Sequence, residues 1–233
     1  MINPAIDIAA VRRGLDQTGR VQIPEFLQPD VAEKLVGCLE TEVPWSLALH
    51  QQGSSHRLPA EEYAGMDAEQ RAGLVRELAM EARGQYGFVY ESYMMIKAYV
   101  DQTEPGLMLH QLSEFLNSEP YLKFARQLTG CDQIRRVSAQ ATCYRPGHFL
   151  RLHTDKVDEE GRIAAYVINL TPRWNADFGG MLNFLGADGA VSEVFYPWFN
   201  SLSLFRVPAW HFVSPVALWA NQPRLAITGW FQS

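Results

Sequence analysis

The segment RLHTDKVDEEGR, residues 151–162, sets an imidazole and a carboxylate, His153 and Asp155, one residue apart. On a strand, residues two positions apart share a face, so both side chains can point at one metal ion. A second imidazole must then come from another strand. His211, in FRVPAWHFVSPV, directly follows a predicted core strand and is the candidate. Two imidazoles and one carboxylate on one face suit Fe(II) and leave open coordination positions for exogenous ligands. Arg224, in RLAITGW, follows on the next β-type run. Its planar guanidinium can grip a carboxylate through two parallel hydrogen bonds, which suits a dicarboxylate cosubstrate. An H-x-D pair alone is equally at home in a polar surface loop. The weight lies in the order of the four residues and their placement on β-type runs. His148 lies an odd number of positions from His153 and would point from the opposite strand face. His50, His56 and His110 fall in a polar loop or a helical stretch and read as surface or helix-face residues.

Elements must position these groups. Apolar residues recur at helical spacing over 5–17 and again in VAEKLVGCLE, where Asp30 is placed to cap the helix; GRVQIPEFL between them reads as a short strand. HQQGSSHRLPAEEYAGM reads as a polar connection, and DAEQRAGLVRELAMEAR as a helix capped by Asp67. GQYGFVYESYMMIKAYV alternates like a strand or an extended aromatic loop; Tyr86, Phe88, Tyr90 and Tyr93 could cover a site or simply pack. LMLHQLSEFLNSEPYLKFARQLTG reads as a helical stretch broken near Pro120 and closed by Gly130. From about Ile134 the texture changes to short β-type runs separated by Gly, Pro, Asn and Asp, the pattern of a sandwich or barrel of the jelly-roll kind. One domain over 1–233 is expected, with 1–133 mainly helical support and a substrate-loop region, and 134–233 a jelly-roll core.

Composition narrows the partners. A formal net charge of −6 gives no footprint for gripping a polyanion, which disfavours nucleic acid. The sequence holds no apolar run long enough to cross a membrane, and its start lacks a signal-peptide pattern. Cys38, Cys131 and Cys143 are odd in number and lack C-x-x-C spacing, fitting reduced, packed thiols in a cytoplasm.

The motifs CYRPGHFLRLHTD, GRIAAYVINLTPRWNADFGGMLNFL and RLAITGWF make the sequence resemble the 2-oxoglutarate/Fe(II)-dependent dioxygenases, particularly their prolyl-hydroxylase branch and, within it, the catalytic domains of ribosomal-protein prolyl hydroxylases. The resemblance covers roughly residues 134–233 and implies an α+β fold with a double-stranded β-helix (jelly roll) core and supporting N-terminal helices. It implies that His153, Asp155 and His211 hold Fe(II) and that Arg224 pairs with the distal carboxylate of 2-oxoglutarate. Tyr144 would add a hydroxyl to the cosubstrate pocket, and Thr228 and Trp230 would face the same cavity. Asn169 stands where many relatives carry a tyrosine that helps bind that carboxylate. The implied reaction couples decarboxylation of 2-oxoglutarate by O₂, with ascorbate a candidate auxiliary, to hydroxylation of a prolyl residue in a protein or peptide. Residues 50–66 and 84–100 would border a groove open at both ends. The alternatives are hydroxylation of a free amino acid or small metabolite, and a non-catalytic metal-binding sensor module. Nucleic-acid demethylation fits less well, because that branch places a second arginine where Trp230 stands. Oligomeric state is left open.

Overall fold

The computed structural model describes residues 1–233 throughout. The chain opens with α1 (Ile8–Thr18), β1 (Arg20–Ile23) and α2 (Pro29–Thr41). A hairpin of β2 (Ser46–Gln51) and β3 (Ser54–Leu58) follows, then α3 (Ala60–Gly65) and α4 (Ala68–Glu81). Next come β4 (Phe88–Tyr93), α5 (Met95–Asp101), α6 (Met108–Leu116) and α7 (Glu119–Thr129). The remainder is strand: β5 (Arg136–Val137), β6 (Gln140–Tyr144), β7 (Phe149–His153), β8 (Arg162–Asn169), β9 (Leu182–Leu185), β10 (Val191–Phe195), β11 (Ser201–Arg206), β12 (His211–Val213) and β13 (Arg224–Gln232).

Local chemistry sets most helix ends. Asp67 accepts from the Gln70 amide while the Gln70 side chain returns to the Asp67 amide, a full capping box at the start of α4. Asp30 does not cap α2: the capping position is Gln28, without a side-chain bond, and Pro29 opens the helix because its fixed φ and missing N–H suit the first turn. Asp30 instead lies inside that turn, where a carboxylate complements the helix dipole. The helical stretch breaks beside Pro120 as expected: α6 ends at Leu116, and Pro120 lies in the first turn of α7 behind Ser118, whose hydroxyl accepts from the Tyr121 amide. Gly130, at φ 69°, closes α7 with its N–H on the Arg126 carbonyl. The segment expected as a polar connection is the β2–β3 hairpin plus α3, and the aromatic stretch divides into β4 and α5.

The strands pair antiparallel in the order β1-β11-β8-β13-β6-β4-β7-β12-β9-β10. Strand β4, from the N-terminal half, sits between β6 and β7 and joins the two walls of the jelly roll. Arg20 of β1 reaches Glu193 and, at 3.0 Å, Ser192 of β10, drawing the sheet's two ends together into a nearly closed barrel. Strand β8 is apolar on both faces because both are covered: Ala164, Tyr166 and Ile168 pack in the core shared with the helices, and Ala165 and Val167 in the barrel. The helix-side core includes Leu35, Leu39, Leu112, Leu128, Leu204 and Ile227, each fully or almost fully buried. Burial of each such side chain contributes roughly 1.5–3 kcal/mol, so the helices hold the outer face of the wall whose inner face carries Arg224 and Trp230.

Candidate active site

Strand β7 ends on His153 and β12 begins on His211, and the two residues are direct partners in the antiparallel register. Their rings lie 4.2 Å apart between centroids. Asp155 follows at the end of β7, with carboxylate oxygens 3.6 Å from His153 Nε2 and 3.5 Å from His211 Nε2. Each imidazole lies by Nδ1 against a backbone carbonyl, Arg151 at 2.8 Å and Ala209 at 2.9 Å. A carbonyl can only accept, so Nδ1 carries the proton and the Nε2 lone pair is left for a metal. The three donor atoms lie within 4.8 Å of one another. Two ligands at right angles on a metal about 2.1 Å away sit about 3 Å apart, so each carboxylate–imidazole separation need close by only about half an ångström. The donor set fits Fe(II), which His153, Asp155 and His211 would hold.

Burial alone would raise the Asp155 pKa, but the two imidazoles beside it, His153 and His211, outweigh it and hold the carboxyl below its ordinary value. Burial lowers the His211 pKa, which favours the neutral imidazole a metal needs. His148 lies outside the cavity: it is buried, its Nδ1 accepts from the Arg145 amide at 3.1 Å, and burial lowers its pKa to about 4.

The triad lines a cavity of about 400 Å³ together with Tyr144, Arg224, Thr228 and Trp230. Arg224 is 3% exposed and faces no carboxylate. Its Nη2 donates to Asn169 Oδ1 at 3.1 Å, and its Nε has no partner. Burial lowers its pKa from a value so high that the group stays charged at neutral pH. A buried guanidinium with a free donor at the wall of a cavity is an anion receptor. Asn169 lies behind it, its amide donating to Ser201 Oγ at 3.1 Å and Ser203 Oγ at 3.3 Å. Tyr144 stacks on Tyr90 of β4 at 5.0 Å, and burial raises its pKa well above the ordinary phenol value, so it is a neutral hydroxyl.

Several lining residues were not singled out from the sequence. Arg162 stacks over the Trp230 ring at 3.6 Å and donates to the Asp155 carbonyl at 3.2 Å. Gln140 and Thr142 of β6 line the cavity, as does Ser55 of the hairpin; of the four aromatic residues that the sequence offered as a cover, Tyr86 and Tyr90 line it too. Tyr86 lies 5.9 Å from His153 and 5.2 Å from His50, which sits in this aromatic row on β2. His110, expected on a surface or helix face, is 7% exposed, packed against Tyr99.

The model of the 2OG-Fe(II) oxygenase superfamily matches residues 139–232, the stretch that contains all four chemical residues. Residues 139–232 thus resemble a 2OG-Fe(II) oxygenase domain. The prolyl 3-hydroxylase OGFOD1 of Xenopus laevis is 30% identical over 120 residues, covering 48% of this chain and 23% of that protein. The corresponding protein of Mus musculus is 29% identical over a stretch of the same length. The chain thus spans less than a quarter of the length of the curated relatives it matches. Among solved structures, a prolyl hydroxylase from Trichoplax adhaerens, in complex with a hypoxia inducible factor peptide fragment, superposes with a TM-score of 0.65. It is 19% identical and covers 97% of this chain and 88% of that one. A Pseudomonas putida prolyl-4-hydroxylase gives 0.57 at 19% identity, covering 97% and 99%. These likenesses establish the jelly-roll fold, and the triad and Arg224 lie in its cavity.

Proposed function

We propose that this oxygenase domain hydroxylates a prolyl residue of a protein or peptide, using Fe(II), 2-oxoglutarate and O₂. The observation that carries the reading is the buried Arg224, with a free Nε and no carboxylate partner, in the same cavity as the His153–Asp155–His211 set. With iron and cosubstrate bound, oxidative decarboxylation of 2-oxoglutarate supplies the oxidising equivalent for an unactivated C–H bond. The chain's own residues bind, orient and exclude water. His153, Asp155 and His211 would hold the metal, Arg224 would bind the far carboxylate through its fork, and Asn169 holds that fork in place. Tyr144, Leu182, Phe205 and Val213 add apolar surface to a wall that Gln140, Thr142 and Thr228 make partly polar, and limit water at the site.

The prolyl substrate rests on the 30% identity to proteins named prolyl 3-hydroxylase. The fold alone does not select it, since the epimerase SnoN from nogalamycin biosynthesis shares the fold at a TM-score of 0.56 and 11% identity. The hairpin and Tyr86 border the cavity from the N-terminal side, which favours an extended peptide lying across the mouth with one proline inside. Succinate formation is the test, measured with Fe(II) and 2-oxoglutarate against proline-containing peptides and free proline. Stimulation by peptide, with one oxygen atom added to proline by mass spectrometry, is expected. Turnover of free proline with no response to any peptide would overturn the peptide reading in favour of a small-molecule hydroxylase.

No helix is long and apolar enough to cross a membrane. Cys38 and Cys143 are buried free thiols and Cys131 is a partly buried one. A reducing compartment, the cytoplasm, accommodates all three, and cell fractionation tests that location.

A further inference from the structure

Strand β4 turns Tyr90 toward the active-site cavity and, by strand alternation, Glu91 toward the other side. There Glu91 lines a second cavity of about 390 Å³ with Trp45, Tyr63 of α3, Arg71 of α4 and Arg145. The two cavities share no lining residue. Glu91 is 1% exposed. Its Oε1 accepts from the Tyr63 hydroxyl at 2.9 Å and Arg145 Nε at 2.6 Å, while its Oε2 has no partner. Arg71 is the complement: its guanidinium stacks 4.4 Å over the Tyr63 ring, Nη2 donates to the Ala64 carbonyl at 3.2 Å, and its buried Nε has no acceptor.

Buried polar groups are almost always satisfied, and a carboxylate oxygen left without a donor is among the more costly exceptions. Here an unmet acceptor and an unmet donor belong to the lining of one cavity. Glu61 adds a second carboxylate, so two guanidiniums face two carboxylates. A simple anion would be repelled by Glu91 and a simple cation by the arginines. A zwitterion meets both needs, and Val43, Pro44 and Trp45 offer its remainder an apolar wall. We propose that this cavity binds a free α-amino acid with an apolar side chain, its ammonium on Glu91 and its carboxylate on Arg71 and Arg145.

Isothermal titration calorimetry of the full chain with L-leucine, L-phenylalanine and L-proline tests the site. One-to-one binding of at least one is expected, weakened at least roughly tenfold by N-acetylation or by conversion to the amide, each of which removes one charge. Arg71→Ala and Glu91→Gln, with folding checked by circular dichroism, should each weaken it similarly. Asp155→Ala should leave it unchanged, which separates this site from the oxygenase cavity whether or not the hydroxylase reading holds. Absence of binding by all three amino acids, leaving ordered water as the only partner of Glu91 Oε2, would overturn the proposal. So would binding that survives Arg71→Ala or disappears in Asp155→Ala.

Discussion

At the scale of single residues, Asn169 and Arg224 form one device. The Asn169 carbonyl accepts from Arg224, and its amide is held by two serine hydroxyls of β11, so the guanidinium cannot swing. Arg224→Ala should raise the 2-oxoglutarate requirement by the loss of a bidentate charged contact, about 1.5–3 kcal/mol, with metal content unchanged. Arg224→Lys should recover part of that loss, because an ammonium lacks the fork. Asn169→Ala should give a smaller loss in the same cosubstrate titration; no effect would show that the fork needs no support. His148 makes a separate prediction about pH. Its folded pKa is about 4 against an ordinary 6.5, so between these values the unfolded chain binds a proton that the folded chain does not. Stability therefore falls as pH drops through that window, by about 3 kcal/mol in total, and is fully retained above it. Urea midpoints measured from pH 7 to 4 should show a shallower acid limb in His148→Asn, which keeps an acceptor for the Arg145 amide.

At the scale of elements, parity decides what a sequence reveals. The strand carrying His153 and the strand led by His211 are short, apolar and bounded by turns, so their inward faces follow from alternation, and with them the triad and Arg224. Arg162 escaped because β8 and β13 slip between Phe231 and Gln232: Phe231 pairs with Ala164 but Gln232 with Arg162. The irregularity breaks strict alternation and lets Arg162 lie over Trp230, a position that sequence parity would assign to the other face. The β2–β3 hairpin was illegible for another reason. All of β3 but its last residue is exposed, so it needs no apolar alternation, and its turn is built from Gln52 and Gly53 at positive φ without the usual Asn-Gly signature. Asp30 misled because helix starts accept either a capping side chain or a leading proline, and Pro29 supplied the second. Gly229 is the element-scale test: a Cβ there would come 1.9 Å from the Ser138 carbonyl, on backbone that cannot yield without moving β13. Gly229→Ala should cost about 3 kcal/mol or prevent soluble folding, and a urea midpoint matching wild type would mean that the strand shifts freely.

At the scale of the whole molecule, the barrel gathers the triad, Arg224 and Trp230 from β7, β12 and β13, elements far apart in sequence. The unfolded chain has no such constellation, so a ligand that needs it binds the folded state alone. Binding then adds RT ln(1 + [L]/Kd) to stability, about 2.7 kcal/mol when free ligand is a hundredfold above Kd. For a chain of this length that corresponds to a rise in melting temperature of about 5–10 °C. Mn(II) should produce such a rise in wild type and none in Asp155→Ala, where the carboxylate between the two imidazoles is gone. 2-Oxoglutarate added after Mn(II) should give a second rise in wild type. In Arg224→Ala the Mn(II) step should persist at full size while the cosubstrate step shrinks, because the metal ligands lie on strands that the substitution does not touch. The two steps thus report the two halves of the site separately and without turnover. If 2-oxoglutarate stabilises Arg224→Ala as much as wild type, the buried guanidinium serves the fold rather than the cosubstrate.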